Sequence, residues 1–223
     1  MGYSAGGDGV YQLAPRMADR WAAAAMMAGH PNDARPESLR NTAFTLHMGA
    51  NDTPFKRNEV AAQWKARLAE LQTEDPDGYD HWVEIHEDKG HWMDREDASA
   101  VPWMAQRKRN LRPKHVLWRQ DDVTHDRFYW LAVDEPQRGK TITAKLSTQW
   151  VMGDTVELSP DSGPVRIRLD DELCSLDGPV RVIRDGEELY RGRPARTIAT
   201  LHRTLEERGD PTGMFSSEIV IGD

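Results

Sequence analysis

The chain has 223 residues, 38% of them hydrophobic and 30% charged, the balance of an ordinary globular protein with room for one large domain or two small ones. No run approaches the roughly eighteen apolar residues of a membrane span. A formal net charge of −8 argues against a general nucleic-acid binder, which needs a basic footprint, so neither a membrane nor a nucleic acid is expected as a partner. The single cysteine, Cys174, excludes an internal disulfide and a thiolate metal cluster.

The chain opens on "MGYSAGGDGVYQ", which contains Gly2-Tyr3-Ser4-Ala5-Gly6, a G-x-S-x-G. Glycines two before and two after a serine allow a sharp, strained turn between a strand and a helix. Such a turn lifts the serine oxygen clear of the backbone, and the Ala5 N–H would donate to an oxyanion beside it. Gly7 and Gly9 would let the chain pass close to a substrate. A helix is expected over residues 6–21, with Val10, Leu13, Ala14 and Met17 as its apolar stripe. "WAAAAMMAGHP" then reads as a buried strand ending in a Gly/Pro loop. "NTAFTLHMGAND" reads as a second buried strand whose loop carries Asp52.

Next comes "EVAAQWKARLAELQ", an amphipathic helix with Val60, Trp64, Leu68 and Leu71 on one face. "DHWVEIHED" is a third strand with His91 in the loop behind it, and "REDASAVPWMAQRKR" is a further helix. The basic run "QRKRNLRPKH" reads as the end of that helix passing into a solvated linker. Strands alternating with helix-length crossovers predict a parallel α/β sheet.

A break near residues 110–113 divides the chain. Beyond it, "KHVLWRQ", "DRFYWLAV", "KTITAKLS", "DTVELS", "PVRIRLD" and "PVRVIRD" are strand candidates. Val165, Ile167 and Leu169 alternate with Arg166 and Arg168, which predicts one dry and one wet face. Asp185-Gly186 is a two-residue hairpin turn. "TIATLHRTLEERGD" reads as a helix with Ile198, Leu201 and Leu205 inward and Gly209 as its cap, and "MFSSEIVI" as a closing strand.

A serine nucleophile needs a histidine base, and that histidine needs an acid to fix its tautomer. Ser4, Asp52 and His91 occur in the order Ser, Asp, His, with the acid and the base each on a loop after a strand. Gly49 and Gly90 precede the acid and the base, where tight turns expose side chains. Asp8, Asp75, Asp77 and Asp80 do not follow a buried strand at the right point. His81 and His86 fall within a strand, and His30 is a candidate for the pocket mouth. "HWVEIHEDKGH" does not make a zincin: His86-Glu87 is followed by His91 one residue too late, and Gly90 interrupts. No metal and no organic cofactor is implied.

With "GYSAGG", "HMGAND" and "DKGHW" in place, residues 1–110 resemble the C-terminal half of an α/β-hydrolase, of the esterase branch near the dienelactone hydrolases, carboxylesterases and prolyl-oligopeptidase-like enzymes. The resemblance implies Ser4 as nucleophile, Asp52 as acid, His91 as base and Ala5 in the oxyanion hole. It implies a small-molecule carboxylic ester as substrate and an acyl-enzyme intermediate. The expected fold class is α/β: the C-terminal half of an α/β-hydrolase parallel sheet (1–110, the catalytic domain) followed by a small β-rich accessory domain with one helix (111–223). Family members place about five strands before the serine, including the loop with the second oxyanion donor. The chain is therefore expected to be the C-terminal part of a longer hydrolase, a weak esterase alone, with an exposed sheet edge suited to homodimer formation. Two other readings stay open: a peptidase of the same superfamily, and a non-catalytic remnant carrying a glycan- or protein-binding β module. In the latter, Trp118 and Trp130 would be sugar platforms rather than core aromatics.

Overall fold

A computed structural model describes residues 1–121, 125–148 and 153–222. It has a mixed α/β fold that divides into two compact units, Met1–Asn110 and Leu111–Asp223.

In the first unit, β1 (Gly2–Tyr3), β2 (Ala23–Met27), β3 (Ala43–Gly49) and β4 (His81–His86) form a sheet in the order β1-β2-β3-β4, and every pairing is parallel. The crossovers carry α1 (Ala5–Arg16) and α2 (Arg57–Glu74), and α3 (Ala100–Ala105) follows β4. Because strand side chains alternate in direction, β3 has two different faces. Phe44, Leu46 and Met48 join Tyr11 and Ala14 of α1 and Ala61, Trp64 and Leu68 of α2 in one core. On the other face of the sheet, Ala25 and Met27 of β2 pack with Met93 and with Ala100 of α3.

Two helix expectations change. α1 stops at Arg16, where Met17 leaves helical geometry (φ −132°), and a short 3-10 turn covers Ala18–Arg20. Its buried face is Gly7, Tyr11, Ala14 and Pro15, while Leu13 is half exposed. The bulk of Tyr11, packed at 4.5 Å from Trp64 between ring centres, sets that rotation. α3 covers only six residues. Arg107 in the basic run stacks on Trp103 at 3.7 Å and pairs with Asp80 at 3.1 Å.

The second unit holds β5 (His115–Arg119), β6 (Arg127–Phe128), β7 (Leu131–Ala132), β8 (Thr141–Ser147), β9 (Asp154–Leu158), β10 (Val165–Leu169), β11 (Val180–Arg184), β12 (Glu187–Gly192), α4 (Ile198–Arg208) and β13 (Ser217–Ile221). Among the described residues they form two sheets, β13-β10-β7-β6 and β12-β11-β9-β8-β5, in which only β9 and β11 pair in parallel. Trp118 of β5 stacks on Phe128 of β6 at 5.7 Å, joining the sheets. The Asp185-Gly186 turn has φ +50° and +78°, the positive pair that a two-residue hairpin requires.

Three expectations for this unit are corrected. "DRFYWLAV" is not one strand: Tyr129 takes φ +53°, and the chain folds back so that Phe128 pairs with Leu131. Arg168 does not face water. It is 3% exposed, with Glu207 at 2.7 Å and Glu218 at 3.3 Å. On α4 the buried residues are Thr200, Thr204 and Arg208, while Ile198 is 85% exposed. Thr204 Oγ1 accepts from the Phe215 N–H at 3.0 Å, and Arg208 donates to the Tyr129 carbonyl at 3.0 Å. These bonds make that polar face buriable. Trp118 and Trp130 are fully buried, and the Trp130 indole donates to the Pro113 carbonyl at 2.7 Å. Neither can present a ring to a glycan.

Candidate active site

Parallel strands bring their C-terminal ends to one edge of the sheet, and loops leaving that edge converge. Ser4 lies between β1 and α1 with φ 55° and ψ −120°, a strained conformation for a residue with a side chain. Its N–H donates to the Met27 carbonyl at 2.9 Å, and its own carbonyl accepts from Asp8 N–H at 2.9 Å, so the turn is held on both sides. Gly2 makes the turn sterically feasible: a Cβ there would lie 2.1 Å from the Gly6 oxygen. Gly7 has a different role from the one expected. It packs against the backbone of Met27 and Gly29, where a Cβ would come within 2.5 Å, and Gly9 faces open space.

The loops after β3 and β4 continue the strand ladder for a few residues. Ala50 N–H donates to His86 O at 2.9 Å, and Asn51 N–H donates to Lys89 O at 2.8 Å. Gly49 lies so close to the facing loop that a Cβ would sit 2.0 Å from the Gly90 oxygen. This clasp brings Asp52 and His91 together. Nδ1 of His91 lies 2.7 Å from Asp52 Oδ2, and its Nε2 lies 2.9 Å from Ser4 Oγ. The carboxylate can only accept, so His91 carries its proton on Nδ1 and offers the Nε2 lone pair to the Ser4 hydroxyl. Asp52 is 1% exposed, whereas the His91 side chain is 41% exposed. The carboxylate is dry and the imidazole is reachable from solvent.

Ala5 is the first residue of α1, so its N–H is one of the helix-opening donors that lack an intrahelical acceptor. It stands one residue beyond Ser4, where the dipole of the helix favours negative charge.

The rival residues are engaged elsewhere. Asp8 accepts from the His30 N–H at 2.6 Å, and His30 Nδ1 accepts from Asn32 N–H at 2.9 Å. Asp75 pairs with Arg40 at 2.6 Å, and Asp80 with Arg107, beside the opposite ends of the strands. His81 bonds its own neighbourhood through the Tyr79 carbonyl at 2.8 Å. His86 turns away from His91 and faces His47.

Two supporting residues were not anticipated. Tyr3 donates its hydroxyl to the His91 carbonyl, and its ring meets His91 edge-on at 5.9 Å and Trp92 at 5.8 Å. Burial raises the Tyr3 hydroxyl above its ordinary pKa, so it remains a donor. Arg57, at the start of α2, donates to Asp52 Oδ1 at 3.3 Å, leaving Oδ2 for His91. Tyr3 is the residue next to Ser4 and Arg57 opens the helix after the loop that carries Asp52, the only signals that pointed to them.

No protein-family model matches this chain, and no curated protein or solved structure matches it.

Proposed function

We propose that the first unit is the part of an α/β-hydrolase sheet that carries nucleophile, acid and base, and that it hydrolyses carboxylic esters of small molecules. One observation carries this reading: the unbroken hydrogen-bonded chain from Ser4 Oγ through His91 to Asp52, built on a strained strand-to-helix turn and two strand-end loops. His91 Nε2 takes the proton of Ser4 as Oγ attacks the ester carbonyl. Asp52 holds Nδ1–H and stabilises the imidazolium, and Ala5 N–H donates to the oxyanion. The alcohol leaves with the proton from His91, and an acyl-enzyme remains on Ser4. His91 then deprotonates water, which attacks the acyl carbon, releases the acid and restores Ser4.

A fluorophosphonate probe followed by peptide mapping tests this directly. The expected adduct is on Ser4, one per chain, and absent in His91→Gln. A folded protein that takes no label, or takes it on another serine, refutes the assignment.

A further inference from the structure

The sheet face away from α1 and α2 carries polar side chains that the triad does not use. Thr45 and His47 share that face on β3, as do Trp82, Glu84 and His86 on β4, and His47 is in register with Glu84. His47 is 0% and His86 4% exposed. His47 Nδ1 lies 3.1 Å from His86 Nε2 and 4.0 Å from Glu84 Oε2.

The outer partners of the two rings decide where their protons are. The Thr45 hydroxyl has one proton and gives it to the Trp82 carbonyl at 2.9 Å. At 3.0 Å it therefore accepts from Nε2–H of His47. A neutral His47 that donates from Nε2 to Thr45 has its lone pair on Nδ1, facing His86. Glu96 Oε2, 3.1 Å from His86 Nδ1, can only accept, which fixes a proton on that nitrogen. A neutral His86 then also has its lone pair on Nε2. With both rings neutral, two buried lone pairs face each other with a carboxylate beside them, an arrangement that suits a second proton on His86 or a shared cation.

The geometry favours a cation. Two Zn–N bonds at a tetrahedral angle place their nitrogens roughly 3.3–3.4 Å apart, close to the 3.1 Å seen here. Histidine ligands almost always donate their other N–H to an outer acceptor that orients the ring. Both rings do so, His47 to Thr45 and His86 to Glu96, which Lys89 holds in turn at 2.9 Å. A bridging proton would use only the two nitrogens, whereas a metal uses the third group as well. Ligand atoms from His47, Glu84 and His86 all lie within 4.8 Å of one another. The Glu84 side chain is 43% exposed, which leaves room for the rotation that closes its gap.

We propose that His47 Nδ1, His86 Nε2 and Glu84 Oε2 bind one divalent transition-metal ion of the Zn²⁺ type, with a fourth position open to water. The ion ties β3 to β4 just before the loops that deliver Asp52 and His91, and this holds whether or not Ser4 is a nucleophile.

The test uses the full chain, stripped with a chelator and dialysed free of it. Zn²⁺ is titrated calorimetrically, retention is counted by elemental analysis, and Co²⁺ reports coordination through its visible spectrum. One equivalent with micromolar or tighter affinity and intense four-coordinate Co²⁺ bands are expected, unchanged in Ser4→Ala. Glu84→Gln, on a partly exposed side chain, should weaken binding by about tenfold or more, and His86→Gln should abolish it. Less than one equivalent at micromolar Zn²⁺ assigns the gap to a proton and overturns the site. Unchanged affinity in either folded variant overturns it as well.

Discussion

The two units treat polar side chains in opposite ways. In the first, polar groups gather at one edge of a parallel sheet and form a short chain with an open end: Asp52 is fully enclosed, His91 is half exposed, and Ser4 stands at the tip. In the second, charge is closed on itself. Glu218 alone meets Arg166 at 3.1 Å, Arg168 at 3.3 Å and Arg203 at 2.9 Å, and Arg168 also takes Glu207. Each of these guanidinium groups has a carboxylate partner. The first arrangement leaves a hydroxyl and an imidazole at a solvent-facing terminus, whereas the second joins β10, β13 and α4 through paired charges.

Substitution at each centre breaks the comparison differently. Ser4→Ala should lower hydrolysis of a chromogenic short-chain ester by on the order of 10⁴-fold or more, as loss of a triad nucleophile does, with the melting temperature unchanged. Glu218→Gln should do the reverse. Removing the shared partner of a buried ion-pair network costs about 3–5 kcal/mol, read as a fall in the transition of the Leu111–Asp223 unit by calorimetry. Labelling of Ser4 at a temperature where the variant is folded should not change. If Glu218→Gln melted like the wild type, the network would be surface decoration and the contrast between the units would fail.

How much of this was legible in the sequence follows the same division. Ser4, Asp52 and His91 could be read because turn glycines and strand ends are local signals, and a parallel sheet forces those ends together. Orientation was harder. Of the α1 stripe Val10, Leu13, Ala14 and Met17, Ala14 and Val10 meet the core, but Tyr11 provides the larger buried surface and leaves Leu13 half exposed. On α4, Thr200, Thr204 and Arg208 took the inward face over Ile198, because backbone partners at Phe215 and Tyr129 satisfied their polar groups. No periodicity rule sees a partner that lies many residues away. The "DRFYWLAV" run failed as a strand because one residue, Tyr129, adopts positive φ, for which an aromatic residue carries no signature. His47, Glu84 and His86 were invisible as a group because they become neighbours only through the register of β3 on β4.

Gly49→Ala should affect stability and chemistry together, which neither preceding variant does. The added methyl would lie 2.0 Å from the Gly90 oxygen and 2.6 Å from the Lys89 oxygen, both backbone atoms that cannot rotate away. Overpacking of this kind costs about 1–3 kcal/mol. The same displacement moves the loop that carries His91, and a misplacement near 1 Å costs about 10²-fold in rate. A lowered melting temperature with a parallel loss of fluorophosphonate labelling rate is expected. A stable variant that labels at the wild-type rate would mean that the clasp between the two loops does not set the triad.

The smallest effect belongs to Tyr3, and it separates positioning from catalysis. Tyr3 touches the backbone of the His91 loop and the edge of the His91 ring, while Asp52 and Ser4 take the ring nitrogens. Tyr3→Phe keeps the ring contacts with His91 and Trp92 and removes one hydrogen bond, worth about 1 kcal/mol. If that bond holds the loop in its reactive placement, kcat should fall by about fivefold, the equivalent of that energy, with KM and the melting temperature nearly unchanged. Tyr3→Leu removes the edge contacts too and should lower the rate further. A rise in KM at constant kcat would instead place the Tyr3 hydroxyl in the substrate pocket, and an unaltered rate in both variants would leave the His91 loop to be held by Met93 and the Gly49 clasp alone.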